Sequence, residues 1–493
     1  MNKVNSHPRS FPVLAIVCIR IMRAILFLQL FVALVPALSV RSPSVVDDLK
    51  QLVSTSSSVA ANLRARWTDH NDPNPAVIVN VTSEKDVAAV VSYCTTRKIP
   101  FLAQNGGNGW ASTFNLGKNG VLINLAALNT VSVSKDRTEA TIGGGVIIRE
   151  AITAANSAGA LIQTGNCNCV GALGAILGGG YGNLMGEIGF GIDNLISARV
   201  VIASGQIVTV SATSHPDLFF AIRGAGPNFG IVVSATVKAY PASVEERSAW
   251  LNTLFFTPEK LVDVAQAIQD LPLKPEQNVY LYLVNSGPPT NAPAIMVTGF
   301  LHKGTEESGR KAFAPLYNIG PVGNSSAVLP YTEWNTAGDG FCARGDRKPG
   351  HSTSIKSMQP SRWNEIWEIY TEFQKKSPNS AILIERYNLS KATTVKSETT
   401  ALQKALRSEA FAQAIVLPWY TDKALDREAE TFAEKVRSIW SFTRDPKRNP
   451  TYINFAHGDE ELEAIYGEHL PRLRKLKSKW DPKGVFDQWF EIK

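Results

Sequence analysis

Residues 164–195 read TGNCNCVGALGAILGGGYGNLMGEIGFGIDNL, and this glycine-rich stretch is the most informative part of the sequence. Ten glycines fall between positions 165 and 191. Glycine at this density lets backbone amides approach a ligand closely, and successive amides at a turn or helix start form a cradle for phosphate. Because apolar residues such as Val170, Leu173 and Ile176 are interleaved with the glycines, the stretch is typical of a packed segment rather than a flexible loop. It therefore predicts a ligand site lined by backbone.

The chain before this stretch predicts alternating strands and helices. The predicted strands are Pro75–Val81, Pro100–Ala103, Val121–Leu125 and Glu139–Ile142, and they follow a helical stretch over Val45–Ala61. Ser83 predicts a helix start, because Asp86 stands three residues on and an apolar face follows. The second strand runs directly into Gln104–Trp110, QNGGNGW, which is a second glycine-rich loop. Strand, glycine loop and further strands together indicate an α+β cradle.

The chain after the stretch changes character near Pro241. A hairpin of Ala198–Ala203 with Gln206–Val210 still belongs to the glycine-rich half. Beyond Pro241 glycine becomes sparser, and strands alternate with amphipathic helices such as Leu261–Leu271 and Trp363–Phe373. We expect this second half to form a domain that covers the ligand site.

The first 39 residues are expected to be a signal peptide. Arg23 supplies its positive region, Ala24–Val35 its apolar region, and Ala37 with Ser39 the small residues before the cleavage site. An uncleaved signal anchor is the open alternative. Three Asn-x-Ser/Thr sequons agree with passage through the secretory route: Asn80, Asn324 and Asn388. We expect the mature protein to be a secreted, glycosylated monomer with no stable membrane span.

Composition and charge indicate an ordinary globular protein and argue against nucleic-acid binding. The 493 residues are 44% apolar and 19% charged, as in an ordinary globular protein. Four of the 50 basic residues lie in the first 39 positions, which hold no acidic residue, so the remaining 46 face 43 acidic residues, a net charge of +3. That balance argues against nucleic acid as a partner. The basic run Arg472–Lys479 is spaced by leucines and predicts the solvated side of an amphipathic helix.

Cleavage of the signal peptide would leave four cysteines, too few for a disulfide scaffold at this size. They are Cys94, Cys167, Cys169 and Cys342. A bridge between Cys167 and Cys169 would be strained, because they stand two residues apart on an extended segment. The sequence offers neither a Cys-x-x-Cys nor a His-x-x-x-His spacing, so it predicts no metal site.

Several motifs, in a fixed order, carry a resemblance to a known family. They are Gln104–Trp110, Thr164–Gly171, Leu177–Leu184, Gly189–Leu195, His215–Phe219, Arg223–Gly230, Tyr452–Phe455 and Lys477–Phe486. Together they resemble the FAD-binding domain of the vanillyl-alcohol oxidase / p-cresol methylhydroxylase superfamily, and in particular its berberine bridge enzyme-like branch of FAD-linked oxidoreductases. The resemblance is strong over 71–241 and 450–490 and holds only in outline between them.

The resemblance implies a two-lobed α+β fold around FAD. The FAD-binding domain would span 71–241 and an antiparallel-sheet substrate domain 244–450, while 451–490 would return to complete the FAD domain. The first glycine loop would hold the pyrophosphate and the second tract the ribityl chain. The residues expected at FAD are Gln104, Asn105, Gly106, Gly107, Asn108, Gly109, Trp110, Thr164, Gly165, Cys167, Val170, Gly171, Gly174, Gly178, Gly179, Gly180, Tyr181, Gly182, Asp193, Asn194, Gly230, Ile231 and Asn454.

Asn108 and Cys167 bear on how FAD would be attached. The family usually has histidine at the Asn108 position, bonded to the flavin 8α-methyl carbon, and asparagine lacks the ring nitrogen for that bond. The resemblance therefore excludes an 8α-histidyl link. Cys167 occupies the place of the family's second link, a thioether to flavin C6. Attachment through Cys167 and non-covalent FAD both stay open, and Cys169 is expected to be a packing residue.

The resemblance also implies hydride transfer from substrate to flavin N5, with a base that removes a hydroxyl or phenol proton. Glu385 and Tyr387 lie on one face of the predicted strand Ala381–Tyr387 and are candidate catalytic groups, as is Tyr452 beside the isoalloxazine ring. The aromatic residues expected to line the site are Trp110, Trp419, Tyr420 and Tyr452.

Val170 stands where a small branched residue in this family lets dioxygen reach the flavin, which favours an oxidase over a dehydrogenase. The expected partners are a small organic substrate and dioxygen, with hydrogen peroxide as product. Two alternatives stay open. One is a nicotinamide-dependent dehydrogenase that uses Gly224–Gly226 or Gly171–Gly182 as its dinucleotide loop. The other is a flavin- or carbohydrate-binding protein of the same fold without redox activity.

Overall fold

The first sheet carries the strands that lead to the first glycine loop. Its strands are β1 Ser58–Ala60, β2 Val77–Asn80, β3 Phe101–Gln104 and β4 Val121–Asn124. The order is β1-β2-β4-β3, with β1 antiparallel to β2 and the other pairs parallel. The computed structural model describes residues 44–60 and 65–493, so the predicted signal peptide lies outside the described residues. Because β3 ends at Gln104, the sheet sets the point where the glycine loop begins.

The second sheet is antiparallel and holds both ends of the second glycine tract. Its strands are β5 Val131–Val133, β6 Glu139–Gly143, β7 Ala160–Ile162, β8 Leu195–Val201, β9 Ile207–Ser211 and β10 Ile231–Pro241. The order is β5-β6-β10-β8-β9, and β7 pairs with the end of β10. Strand β7 leads into the tract and β8 leaves it, so residues 163–194 form one long connection across the end of this sheet.

The third sheet has seven antiparallel strands and occupies the second half of the chain. They are β11 Ser248–Phe256, β12 Gln277–Asn285, β13 Pro293–His302, β14 Gly323–Pro330, β15 His351–Ile355, β16 Ala381–Tyr387 and β17 Ala412–Leu417. The order is β14-β11-β13-β12-β16-β17-β15. Strands β12 and β16 are therefore neighbours at the centre, each with side chains alternating between the two faces.

Helices cover one face of the third sheet. The α-helices of the described residues are α1 Val45–Leu52, α2 Glu84–Arg97, α3 Ile148–Ser157, α4 Ala172–Leu177, α5 Met185–Ile188, α6 Pro216–Ala225, α7 Leu261–Asp270, α8 Glu306–Ala312, α9 Ala314–Tyr317, α10 Trp363–Gln374, α11 Ser390–Thr393, α12 Lys404–Ser408, α13 Asp426–Trp440, α14 Leu462–Tyr466 and α15 Leu470–Trp480. Buried apolar residues of α7, α10 and α13 share one core with the sheet. Tyr280 and Tyr387, on the opposite face, belong instead to the core that contains the glycine tract. Among the described residues, no helix has the length and hydropathy needed to cross a bilayer.

Most predicted strands and helices agree with the structure to within three residues at each end. Ser83 caps α2 as expected, accepting a hydrogen bond from Asp86 N at 3.2 Å. The helical stretch predicted over Val45–Ala61 is too long, since the helix ends at Leu52 and Ser58–Ala60 is a strand. That strand forms because it pairs with β2, a partner that local patterning does not reveal.

The amphipathic helix predicted over Arg472–Lys479 is α15, but its basic side is not fully solvated. Lys477 is buried, and its Nζ donates to Asp481 Oδ2 at 2.7 Å. The same ammonium donates to the backbone oxygens of Asn228 and Phe486 at 2.9 and 2.8 Å. The helix thereby fastens the C-terminal residues to the loop that precedes β10.

Candidate functional site

The C-terminal segment stands directly on the second glycine tract. A Cβ built at Gly178 would lie 2.3 Å from Asn454 Oδ1, and one at Gly179 would lie 2.8 Å from the Tyr452 ring. Only glycine permits so close an approach. The Tyr452 hydroxyl accepts hydrogen bonds from Gly180 N at 3.0 Å and from Asn454 Nδ2 at 2.7 Å. Residues 272 positions apart are therefore in direct contact.

The two glycine-rich stretches meet at Gly106 and Gly171, where a Cβ on Gly106 would lie 2.7 Å from Gly171 N. Two arginines hold the first loop in place. Arg66 Nη1 donates to Gln104 Oε1 at 2.7 Å, and Arg344 Nη2 donates to Gly106 O at 2.8 Å. The loop and the tract thus line one continuous region, as a cofactor that spans both would require.

Unpaired polar atoms in this region fit a bound ligand. The side-chain oxygens of Asn105 and Asn166 are buried and have no hydrogen-bond partner among the described residues. Buried polar atoms are nearly always paired in native proteins. In addition, a Cβ at Gly174 would meet no atom within 4 Å. Asn105 and Gly174 are positions predicted for FAD, and Asn166 lies between two others, Gly165 and Cys167. The spare acceptors and the open backbone therefore fit the cofactor.

The central strands of the third sheet present hydrogen-bonded polar side chains toward the tract. The Tyr387 hydroxyl donates to Glu385 Oε2 at 2.8 Å and accepts from Asn166 Nδ2 at 2.7 Å. Tyr280, the cross-strand partner of Glu385 on β12, donates to Asn183 Oδ1 at 2.7 Å. Asn166 and Asn183 belong to the glycine tract, so this group joins the two halves of the molecule.

Glu385 has no arginine or lysine partner among the described residues. Its side chain is half-buried by surface area, but protein atoms surround the carboxyl group closely. This burial raises the pKa of Glu385 to about 7, and the hydrogen bond from Tyr387 offsets part of the increase. Burial and the nearby Glu385 charge also raise the pKa values of Tyr387 and Tyr280 well above their ordinary value. A carboxyl group with a pKa near neutrality can both take and return a proton during turnover.

The expectation that Cys169 is only a packing residue is wrong. Cys169 forms a disulfide with Cys342, with 5.8 Å between their Cα atoms. The two are 173 positions apart, so no local spacing reveals the pair. Cys167 remains a free thiol, with its Sγ 3.6 Å from Cys169 Sγ and 3.7 Å from Cys342 Sγ. Burial raises the pKa of Cys167 to about 11, so the thiol is protonated at neutral pH.

Some residues predicted at FAD already have protein partners. Both Asp193 oxygens accept from Arg407, at 2.9 and 2.7 Å, in a buried ion pair. The Asn194 amide donates to the backbone oxygens of Ile188 and Phe190 and accepts from the Tyr240 hydroxyl. Their direct contact with FAD stays a prediction. The bonds present here show a supporting role, because they hold the end of the glycine tract.

The aromatic residues predicted to line the site do not form one group. Tyr452 lies within the site, against the glycine tract. Trp110 and Trp419 instead flank Trp67, with ring centroids at 5.6 and 6.4 Å. Tyr420 belongs to the core between the third sheet and its helices.

The other predicted positions lie along the two stretches or beside them. Thr164, Gly165, Tyr181 and Gly182 belong to the connection between β7 and β8, while Gly230 and Ile231 stand at the start of β10. In the first loop, the Asn108 amide in its satisfied orientation donates to the backbone oxygens of Cys169 and Gly106, at 3.2 and 3.0 Å. Val170 is half-buried and packs against the core of the glycine-rich half.

Sequence reasoning missed Tyr280, Tyr282, Asn166, Asn183 and Cys342. One signal was available for the tyrosines, because residues 278–285, NVYLYLVN, alternate tyrosine with buried aliphatic side chains. That alternation is typical of a strand between a core and a functional surface. The asparagines and Cys342 carry no such signal, since only the tertiary structure brings them here.

Two families match parts of the chain. The FAD binding domain family matches residues 75–211, and the family described as berberine and berberine like matches residues 451–489. These two matches cover the stretches that meet at Gly178, Gly179, Tyr452 and Asn454.

Fungal proteins are similar over most of the chain. The FAD-linked oxidoreductase OXR1 of Pyricularia oryzae is 34% identical over 438 residues, which cover 86% of this chain and 85% of that protein. The FAD-linked oxidoreductase hasG of Aspergillus fumigatus is 31% identical over 85% of this chain and 92% of its own length.

Solved structures share the fold. A xylooligosaccharide oxidase from Myceliophthora thermophila superposes with a TM-score of 0.78 at 21% identity, covering 91% of this chain and 99% of that one. The BBE-like 1 protein of Physcomitrella patens superposes with a TM-score of 0.76 at 20% identity, covering 90% of this chain and 98% of that one.

Proposed function

The chain belongs to the berberine bridge enzyme-like FAD-linked oxidoreductases, and on this premise we propose that it is a secreted oxidase of a small organic molecule. Dioxygen is the electron acceptor and hydrogen peroxide the product. Membership in this family removes both alternatives drawn from the sequence, the nicotinamide-dependent dehydrogenase and the binding protein without redox activity.

The observation that carries the proposal is the Glu385–Tyr387 pair beside the glycine tract. Bound FAD would supply the acceptor for the hydride that leaves the substrate carbon. Glu385, whose pKa is about 7, takes the proton of the substrate hydroxyl, so that substrate loses one hydride and one proton. The Tyr387 hydroxyl, 2.8 Å from Glu385 Oε2, holds the carboxylate in position and stabilises its charge.

The tyrosines around Glu385 support a substrate that carries its hydroxyl group on or near a ring. Tyr280 and Tyr282 stack at 6.4 Å, and Tyr181 lies 5.5 Å from Tyr387. Aromatic faces of this kind pack against sugar rings and aromatic rings alike. We therefore propose a sugar, a phenolic compound or an alcohol intermediate of secondary metabolism as the substrate class.

Cys167 is the proposed attachment point for FAD. It is a free thiol in the described part of the chain, it is next to the site, and Asn108 cannot form the alternative bond. The bond would join Cys167 Sγ to flavin C6 with loss of the thiol proton and the C6 hydrogen, and the two electrons released would pass to dioxygen. Because burial raises the pKa of this thiol to about 11, we expect attachment to be slow and to run faster at alkaline pH.

Stopped-flow measurement of the two half-reactions tests the oxidase proposal. Val170→Leu should slow reoxidation by dioxygen and leave reduction by substrate unchanged, because the larger side chain obstructs oxygen at the flavin and not the substrate. Val208→Leu, on strand β9, is the matched control and should change neither rate. If the unmodified protein reoxidises only with an artificial acceptor, it is a dehydrogenase and the proposal is wrong.

Secretion is proposed from the N-terminal sequence and the sequons. Asn324 is exposed on β14, whereas the Asn388 amide donates to Leu273 O at 2.7 Å and the Asn80 amide donates to Ser58 Oγ at 3.0 Å. We therefore expect Asn324 to carry the most complete glycan. Intact-mass and peptide analysis of protein from a secretory host should show this glycan and an N-terminus near Val40. An intact Met1 would contradict the proposal.

A further inference from the structure

His351, Glu430 and His457 meet outside the site described above, and we name them the His–Glu cluster. His351 begins β15, Glu430 lies on α13, and His457 lies in the C-terminal segment, five residues after Tyr452. The Nε2 atoms of His351 and His457 lie 3.2 and 3.8 Å from Glu430 Oε1. One ligand atom from each residue lies within 4.8 Å of the other two.

Backbone carbonyls set the tautomers of both rings. His351 Nδ1 lies 3.1 Å from Pro349 O, and His457 Nδ1 lies 3.0 Å from Gly350 O. A carbonyl oxygen only accepts, so each Nδ1 must carry the hydrogen. In a neutral ring Nε2 then carries no hydrogen, so its lone pair is available to a ligand. The Nε2 atoms of both rings face Glu430. Metal-binding histidines are oriented by this type of outer hydrogen bond.

With both rings neutral, three acceptors converge without a donor, an arrangement that either a proton on one Nε2 or a metal cation between the three would relieve. Two ligands at about 2.0–2.1 Å from one tetrahedral zinc ion stand roughly 3.4 Å apart, and the separations of 3.2 and 3.8 Å lie on either side of that value. Two imidazoles and one carboxylate form a ligand set suited to zinc and similar transition cations. We propose that the His–Glu cluster binds one divalent transition cation of the zinc class.

Burial and exposure divide the cluster in a way that suits this role. His351 is fully buried and His457 is 6% exposed, while the Glu430 side chain is 39% exposed. The imidazoles thus lie inside the fold, and the carboxylate faces solvent, from which water would complete the coordination. The rings are now stacked, 3.6 Å between centroids and 15° between planes. Binding must splay them, because parallel rings cannot both aim at one ion.

A cation here would join three distant parts of the chain beside the C-terminal segment. Phe455 O, two residues before His457, accepts from Ser352 Oγ at 2.7 Å and from Trp110 Nε1 at 3.2 Å. The proposed ion would reinforce these bonds by holding His457 against β15 and α13. Its role is therefore structural, and it acts on the stability of the folded state through mass action.

The test is a zinc titration of the FAD-loaded, tag-free protein after dialysis against a chelator. We expect one zinc per chain by calorimetry and by metal analysis, and a thermal unfolding midpoint that rises with zinc concentration. Glu430→Gln should weaken zinc binding at least ~10-fold. Loss of a residue that only hydrogen-bonds to a metal ligand already lowers metal affinity about 10-fold to 100-fold, and Glu430 is proposed to bind the ion directly. Because Glu430 is partly exposed, this variant is expected to fold normally.

Two matched variants separate this cluster from other sites. Glu434→Gln makes the same chemical change one turn along α13 and should leave zinc affinity unchanged, and Cys167→Ser should do the same for the free thiol. Anomalous diffraction at the zinc edge should locate the ion between the two imidazoles. The proposal is overturned if the chelated protein takes up no stoichiometric zinc, or if Glu430→Gln binds zinc as tightly as the unmodified protein.

Discussion

Buried reactive groups are treated in opposite ways in two regions of this molecule. Where the glycine tract faces the third sheet, the described residues give Glu385 no cationic partner and leave Cys167 a free thiol. Elsewhere along the tract, Asp193 is paired with Arg407, and Cys169, two residues from Cys167, is paired with Cys342. Pairing lowers the free energy of a buried group and makes it inert, whereas a group left unpaired keeps its reactivity. The difference separates residues that act from residues that hold the site together.

The largest expected effect is on flavin attachment. Cys167→Ala should abolish acid-stable flavin completely, because no other side chain at the site can form the C6 bond. Flavin absorbance in the acid precipitate measures this directly. Asn108→Ala should retain the link, and so should Cys169→Ser, which removes a paired cysteine instead of the unpaired one. If flavin stays in the Cys167→Ala precipitate, Cys167 is not the attachment point, and the contrast between the free Cys167 and the disulfide-bonded Cys169 is wrong.

The second expected effect is on turnover. Glu385→Gln should lower kcat by about 10²- to 10⁴-fold, the usual contribution of a general base. FAD content and the thermal midpoint should be preserved, because no cation loses its partner. Glu372→Gln, an exposed carboxylate on α10, is the control and should have normal activity. A fully active Glu385→Gln enzyme would remove Glu385 from the chemistry.

The third expected effect is on stability. Asp193→Asn should lower the free energy of unfolding by about 3–5 kcal/mol, because it leaves the Arg407 charge buried without compensation. Urea denaturation of the FAD-loaded protein measures this loss, and Glu372→Gln again serves as control with no measurable change. If Asp193→Asn is as stable as the unmodified protein, the Asp193–Arg407 ion pair does not hold the glycine tract in place as described.

The smallest expected effect is on pH dependence. Since Glu385 must be ionised to accept a proton and its pKa is about 7, kcat/KM should rise with pH through neutrality and fall about tenfold per pH unit below it. Tyr387→Phe removes a hydrogen bond that favours the ionised form, so the rise should move to higher pH. A profile that is flat between pH 5 and 8, or one that Tyr387→Phe moves to lower pH, would contradict the assignment.

Local patterns predicted much of this fold because the relevant forces act over short spans of sequence. Strand Ala381–Tyr387 was predicted with the bounds that the structure has, since its alternation reflects one apolar and one polar face. The glycine tract was recognisable for a similar reason. Close approach to the backbone requires glycine itself, as at Gly178 and Gly179, so the glycines in the sequence directly indicate where such an approach occurs.

Features that depend on distant partners could not be predicted. Cys342 pairs with a cysteine 173 positions away, and the His–Glu cluster takes its members from β15, α13 and the C-terminal segment, with no spacing that marks them. Lys477 shows the same limit on a smaller scale. Its helix was predicted correctly. The groups that accept from its ammonium, including the Asp481 carboxylate and Phe486 O, lie beyond the end of that helix, where the chain folds back.

The position of Tyr452 and Asn454 on Gly178 and Gly179 also bears on the order in which the protein can mature. During synthesis the glycine tract leaves the ribosome more than 270 residues before its covering side chains. Until then the tract lacks the bonds from Tyr452 and Asn454, together with the anchoring of Asn228 by Tyr466 and the final residues. The first half of the chain therefore cannot complete the contacts around its glycine tract until the last segment has been translated. A nascent chain stalled before residue 450 should consequently bind FAD weakly or not at all.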